Sequence, residues 1–251
     1  LFSTSMLPPI AVGLWYGDGA VRAFLAAFVW ILLVGFLIWL PARKARRALR
    51  LRDGFLVAVL FWTVLSFFGA IPLLLATQAY HTWTDAIFES VSGLTTTGAT
   101  VIASGLDNLP HAINYYRAQL HFLGGMGILV LAIAVMPMLG VGGMSLVKAE
   151  SSGPMKDAKL TPRIAHTARA LWLVYVTLNI ACILAYKMAG MGWFDAVVHG
   201  FSTIGTGGYS SHDASMAWFN SPAIEWVCIF FMLASSISYG LHFTAWRHGS
   251  F

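Results

Sequence analysis

Five long apolar blocks alternate with polar or charged stretches along the chain: Phe24 to Leu40, Phe55 to Ala76, Leu120 to Leu139, Leu171 to Ala189 and Ala223 to Trp246. None has the period-two alternation of a barrel strand. Each is therefore expected to form a helix, which satisfies its backbone hydrogen bonds within the segment, as lipid requires. A hydrocarbon core of about 30 Å needs about 20 helical residues, so each block can cross it with some tilt. A shorter block, Leu7 to Trp15, reads as the end of a helix that starts earlier. The chain opens at Leu1 without a methionine or a signal-peptide pattern and is expected to be a piece of a longer protein. The fold class expected is an all-α polytopic membrane protein.

Composition strengthens this reading. Of 251 residues, 58% are hydrophobic and only 10% charged, outside the usual range of a water-soluble domain. The few charges also give an orientation. Arg43, Lys44, Arg46, Arg47, Arg50 and Arg52 follow the first long block, Lys148, Lys156, Lys159, Arg163 and Arg169 lie between the third and fourth, and Arg247 ends the last. That puts 12 of the 15 basic residues on one side, which the positive-inside rule makes cytoplasmic. The basic runs are expected to set orientation and meet anionic headgroups of the lipid bilayer, so they need no nucleic-acid partner. Cys182 and Cys228 lie within apolar blocks, away from any second ligand at metal spacing, and are expected to be packing residues.

The two outward connections, from about Thr77 to Tyr116 and from about Gly190 to Pro222, repeat one another. WTDAIFESVSGLTTTGAT from Trp83 aligns with WFDAVVHGFSTIGTGGYS from Trp193, matching Asp85 with Asp195, Ser92 with Ser202, Thr96 with Thr206 and Gly98 with Gly208. Each copy sits between two apolar blocks, so the chain reads as an internal duplication. In each copy, Asp85 to Leu94 or Asp195 to Ile204 has about half the length of a span and is expected to be a half helix entering from outside. Asp85 and Asp195 suit its first turn, where a carboxylate meets orphan N–H groups and the positive end of the dipole.

The Thr/Gly stretch after each half helix cannot continue it. Irregular backbone at membrane depth is tolerated only where protein buries it or where it lines a wet cavity. Outer helix, half helix, Thr/Gly loop and inner helix together make the layout of a cation-selective pore. Carbonyl and threonine oxygens replace the water that an ion sheds, without a full charge to hold it. Gly98 and Gly208 permit backbone angles that turn carbonyls toward the ion, and the half-helix C-termini add partial negative charge.

These residues carry a family resemblance. The runs ESVSGLTTTGATV, YYRAQLHFLGGMGILVLAIAVMPMLGVGGMSLVKAE and KLTPRIAHTARALWLVYV, with GFSTIGTGGYSSHDAS and YGLHF, closely resemble the membrane subunit of bacterial Trk potassium uptake, in the Trk/Ktr/HKT superfamily. The resemblance covers nearly the whole chain. It implies a potassium-channel-like scaffold of four helix, pore-loop, helix units around one pore, preceded by two extra helices. Residues 1–53 would then hold the two leading transmembrane helices and a basic cytoplasmic link, 54–142 the first unit, 143–170 a cytoplasmic link and 171–251 the second unit. The third and fourth units are not present in this sequence.

Carried over residue by residue, Thr96, Thr97, Gly98 and Ala99 would line the first quarter of a potassium selectivity filter, and Thr206, Gly207, Gly208 and Tyr209 the second. Potassium enters as the transported ion, and no cofactor or catalytic residue is implied. The resemblance further implies a cytosolic nucleotide-binding regulatory ring as partner, a homodimer, and the bacterial inner membrane with the filter loops facing the periplasm. One departure is ASSIS, Ala234 to Ser238, where the family tends to have glycine and asparagine; it bears on local helix packing.

Other residues have two readings each. Arg117 is expected to be an interfacial anchor, with bracing of the pore loops through Glu89 or a carbonyl as the alternative. Glu89 and His199, at equivalent places in the two half helices, either hydrogen-bond behind the filter or face an outer vestibule. If behind the filter, titration of His199 would tune conduction with pH. GGMG at Gly124 to Gly127 and GVGG at Gly140 to Gly143 are expected to allow close helix packing rather than to bind nucleotide phosphates. His121, His166 and His242 have no partner at metal-ligand spacing. The competing functions are a repeat-built transporter of another monovalent cation such as sodium, and an intramembrane hydrolase using Ser92 or Ser202, with only His199 near as a base.

Overall fold

A computed structural model describes residues 2–43, 51–76, 79–139 and 160–248. Nine helices lie in these residues: α1 (Leu7–Tyr16), α2 (Val21–Ala42), α3 (Leu51–Ala76), α4 (Trp83–Leu94), α5 (His111–Leu139), α6 (Leu160–Met188), α7 (Trp193–Ile204), α8 (Pro222–Ser236) and α9 (Tyr239–His248). Short 3-10 turns at Phe2–Met6, Leu106–Asn108 and Ser215–Phe219 complete the regular structure, with no strand among the described residues. Lys44, Arg46, Arg47, Arg50, Lys148, Lys156 and Lys159, and GVGG at Gly140 to Gly143, lie outside the described residues.

Among the described residues three helical stretches are long and apolar enough to cross a membrane: Val21–Pro41, Val59–Ala76 and Arg169–Met188. α5, with 29 residues, reaches about 44 Å at the usual helical rise. It starts nine residues before the expected apolar block, at His111 rather than Leu120. The apolar pattern hides these first two and a half turns because they carry Asn114, Arg117 and Gln119, all buried against protein rather than lipid. By contrast α2 turns Phe36, Leu37, Ile38 and Trp39 outward, and α8 does the same with Trp226, Phe230 and Leu233. Broad apolar exposure of this kind suits lipid.

The block from Ala223 to Trp246, expected to be one span, is broken. α8 ends at Ser236, Ile237 is extended (φ −74°, ψ 140°), and α9 begins at Tyr239. The cause lies in the serine pair. Ser235 Oγ donates to the Met232 carbonyl at 3.0 Å and Ser236 Oγ to the Leu233 carbonyl at 2.7 Å, competing with the helical ladder. His242 Nε2 lies 2.8 Å from the Ala234 carbonyl, which also accepts from Ile237 N–H at 3.3 Å at the break.

α5 is the hub, packing on α1, α3, α4, α6 and α7. In lipid, helices gain little from apolar burial against one another, so close approach through small residues matters more. GGMG provides it in three directions. Gly124 lies under the Leu94 carbonyl so closely that a Cβ would overlap it. A Cβ on Gly125 would stand 2.7 Å from the Tyr175 hydroxyl, and one on Gly127 3.0 Å from the Phe61 ring. One buried cluster, including Met6, Phe24, Leu73 and Tyr116, joins α1 to α5, and a second, including Tyr175, Tyr186, Ile204 and Phe231, joins α6 to α8. Cys182 is buried in the second, and it and Cys228 are free thiols.

Candidate functional site

The half helices form where expected, each two residues earlier, as α4 and α7. Their N-termini differ. Thr82 and Asp85 make a reciprocal capping box: Asp85 N–H donates to Thr82 Oγ1 at 3.2 Å and Thr82 N–H to Asp85 Oδ2 at 3.1 Å. Asp195 makes no such cap, because Gly192 precedes its helix. Its Oδ1 instead accepts from Ser211 Oγ at 2.7 Å, beyond the second loop.

At the C-termini the two copies coincide bond for bond. Thr96 N–H donates to the Gly93 carbonyl at 3.1 Å and Thr97 N–H to the Ser92 carbonyl at 2.9 Å. Thr206 N–H donates to the Thr203 carbonyl at 3.1 Å and Gly207 N–H to the Ser202 carbonyl at 3.0 Å. This is the Schellman stop, which turns the residue after the cap left-handed and usually places glycine there. Here it is threonine in both copies, with φ 57° at Thr96 and 55° at Thr206. A β-branched residue in that region is an outlier costing roughly 1–2 kcal/mol. Two residues on, Gly98 (φ 73°) and Gly208 (φ 93°) are left-handed as well.

The loops stand side by side, and a Cβ on Gly98 would overlap the Gly207 carbonyl oxygen. Thr97, Ala99, Thr206 and Gly208 are exposed, Thr96, Gly98 and Gly207 half-buried. Tyr209 differs: its side chain is buried, and its hydroxyl donates to the carbonyls of Glu89 at 2.9 Å and Ala99 at 3.1 Å.

Behind the loops lies one polar network. In each copy, a half-helix side chain holds a hydroxyl 11 residues onward: Thr100 Oγ1 donates to Glu89 at 2.9 Å, and His199 Nε2 pairs with Ser210 Oγ at 3.0 Å. Arg117 joins the copies. Its Nε donates to Glu89 Oε1 at 2.9 Å, its Nη1 to the Ser210 carbonyl at 3.3 Å and its Nη2 to Thr100 Oγ1 at 3.2 Å, with its Cζ 4.3 Å from the Tyr209 ring centre. Arg117 and Glu89 are 1% and 0% exposed. The interfacial-anchor expectation for Arg117 is thus overturned in favour of bracing; Glu89 and His199 are both buried behind the loops. The charge rule looks only at the side of the membrane and takes no account of an internal acidic partner.

Outside the loops the copies clasp each other. Asp213 accepts from the N–H groups of Gly105 at 2.7 Å and Leu106 at 2.9 Å, while Asp107 accepts from Asp213 N–H at 3.2 Å and bonds His212 Nδ1. The His212 hydrogen bond, then the Asp213 N–H, hold the Asp107 carboxyl below its ordinary range. His212 stacks on Trp218 with ring centres 4.3 Å apart.

The hydrolase expectation finds no support. His199 bonds Ser210 and the Asp195 carbonyl rather than Ser202, and Ser202 is 3% exposed. Ser202 Oγ instead lies 3.2 Å from Nδ1 of His121, a residue that the sequence marks only as lacking a partner at metal-ligand spacing. Among the described residues no group of three or more His, Cys, Asp or Glu is placed to hold a metal ion.

Comparison with known proteins agrees with this arrangement. A family model described as "TrkH: Cation transport protein" matches residues 20–249. The Trk system potassium uptake protein TrkH of Halomonas elongata is 57% identical over 247 residues, covering 98% of this chain and 51% of that protein. TrkH of Escherichia coli K12 is 54% identical over 244 residues, covering 97% and 50%. The crystal structure of the potassium transporter TrkH from Vibrio parahaemolyticus superposes with a TM-score of 0.87 at 49% identity, over 99% of this chain and 50% of the other. The chain thus spans about half the length of the relatives it matches. It belongs to the TrkH family of cation transport proteins.

Proposed function

We propose that this chain supplies the first two helix, pore-loop, helix units of a potassium-uptake translocator, with residues 96–99 and 206–209 forming adjacent quarters of its selectivity filter. The observation that carries the reading is the doubled loop: the same Schellman stop, the same left-handed threonine and the same left-handed glycine, side by side. Left-handed turns at alternate residues rotate the carbonyls between them, and two half-helix C-termini add partial negative charge at the same place. A path lined by carbonyl and hydroxyl oxygens, with no full charge, lets potassium shed water and still leave. That the relatives are potassium uptake proteins supports potassium as the ion.

The buried Glu89–Arg117 pair fits this role. It is neutral as a unit, so it stiffens both loops without placing net positive charge behind the cation path. On the same reading the third and fourth units complete the pore, potassium is cargo rather than cofactor, and the protein does no covalent chemistry. The bacterial inner membrane holds the protein with its loops facing the periplasm. A cytosolic nucleotide-binding ring gates it from the basic side, and two copies pair as a homodimer.

The test is rubidium and sodium uptake by a full-length protein containing this chain, in cells lacking their own potassium uptake. Gly98→Ser and Gly208→Ser, at matched membrane levels, are expected to lose potassium preference while sodium flux persists. Unchanged selectivity in both variants would remove residues 96–99 and 206–209 from the ion path.

A further inference from the structure

Among the differences between the two loops, two threonine-to-glycine exchanges point to one residue. Thr95 and Thr97 of the first loop are replaced by Gly205 and Gly207 in the second. Neither glycine is required by backbone conformation: Gly205 has φ −70°, and Gly207 is not among the positive-φ residues. Each is required by space. A Cβ on Gly205 would stand 3.1 Å from the carbonyl oxygen of His121 and 3.2 Å from its Cβ, as well as 2.8 Å from the Phe201 carbonyl. A Cβ on Gly207 would overlap the imidazole itself, the three nearest atoms being Cε1, Nδ1 and Nε2 of His121. Gly208 is the reverse case, left-handed at φ 93° with nothing within 4 Å of where its Cβ would lie.

His121 belongs to α5, the inner helix of the first unit, yet its ring serves the second. It is fully buried and stacks on the Tyr209 ring, with centres 4.2 Å apart and planes 17° from parallel. Its Nδ1 lies 3.2 Å from Ser202 Oγ, at the end of the second half helix, and its Nε2 has no hydrogen-bond partner among the described residues. The ring therefore touches the helix end before the loop, the loop at Gly207 and the aromatic anchor after it.

We infer that His121 is a positioning residue for the second filter loop, and that Gly205 and Gly207 are the cradle it fills. Resting on the pore reading above, this makes the second quarter's geometry, and hence its share of ion discrimination, depend on a side chain from the first unit. In the first loop threonines occupy the corresponding places, Thr95 Oγ1 and Thr97 Oγ1 bonding each other at 2.8 Å.

The test is a suppressor series in the full-length protein, read by rubidium uptake, by the potassium-to-sodium ratio and by the amount of monodisperse protein extracted from the membrane. His121→Ala is expected to extract normally but lose about threefold or more in ion discrimination, and Gly207→Ala to lose about tenfold in uptake or in extractable protein. Combining the two is expected to bring the value back to within about threefold of His121→Ala alone, the signature of coupled neighbours. Gly208→Ala, whose constraint is its own backbone, is expected not to be rescued by His121→Ala. Normal behaviour of Gly207→Ala with His121 intact, failure of the double variant to recover, or unchanged discrimination in His121→Ala would overturn the inference. The pore reading fails separately, if Gly98→Ser and Gly208→Ser both leave selectivity unchanged.

Discussion

Replacing Glu89 by glutamine leaves the Arg117 guanidinium buried beneath both loops without its counter-charge. The carboxylate accepts from Arg117 Nε at 2.9 Å, from Thr100 Oγ1 at 2.9 and 3.0 Å and from Val101 N–H at 3.1 Å. An amide keeps one acceptor oxygen and turns the other into a donor, so at least one of these bonds is lost with the charge. With both groups at most 1% exposed, water cannot compensate. Removing one partner of a buried ion pair costs about 3–5 kcal/mol. At roughly 1–2 °C per kcal/mol for a full-length protein about twice the size of this chain, the thermal midpoint should fall by roughly 3–10 °C. Arg117→Met should cost a similar amount, because it strands the carboxylate instead. The double variant Glu89→Gln/Arg117→Met removes both charges and should recover more than half of either single loss. Thermal unfolding of the purified full-length protein in detergent measures all three. Single variants within about 2 °C of the parent, or a double loss equal to the sum of the singles, would refute a structural ion pair.

Thr96→Gly and Thr206→Gly relieve a left-handed threonine worth roughly 1–2 kcal/mol but add unfolded-state freedom of about 0.5–1 kcal/mol. Melting should therefore show stability unchanged or raised by up to about 1.5 kcal/mol, while uptake assays show weaker potassium discrimination because a hydroxyl is gone. At the outer clasp, the Asp107 carboxyl is held below its ordinary value of 3.8, so its contribution is complete above that pH and fades only as pH falls through the lowered value. Asp107→Asn should accordingly lower the thermal midpoint by the same amount at about pH 6 and pH 8; a loss present at one and absent at the other would contradict the assignment.

The half helices and their 110-residue repeat were legible because apolar length, an acidic first turn and a Thr/Gly stop are local signals. The left-handed threonines were not. Residue preference points to glycine at a Schellman stop, so Gly98 and Gly208 drew attention, and Thr96 and Thr206 were read for their oxygens alone. The clue was present all the same: in each copy a Thr followed two residues later by Gly directly after a half helix. Arg117 was half legible, since bracing through Glu89 is one of its two readings from sequence, and the role of His121 was illegible, for a different reason. Their meaning depends on partners 28 and 81 residues away, Glu89 and Ser202, and no periodicity reports such contacts. The break in the last span was half legible, since the Ser235–Ser236 pair marked it, but hydropathy averaged over the block concealed it. Asp195 shows the limit of reading by symmetry: its counterpart Asp85 caps a helix, whereas Asp195 reaches across to Ser211.

The central claim is that the two Thr/Gly loops line the ion path. Its most direct test is anomalous diffraction from crystals of the full-length protein grown in rubidium or thallium. The account predicts anomalous density bounded by the backbone oxygens of residues 96–99 and 206–209. Density that avoids both loops, lying instead at the outer clasp or elsewhere in the protein, would contradict it.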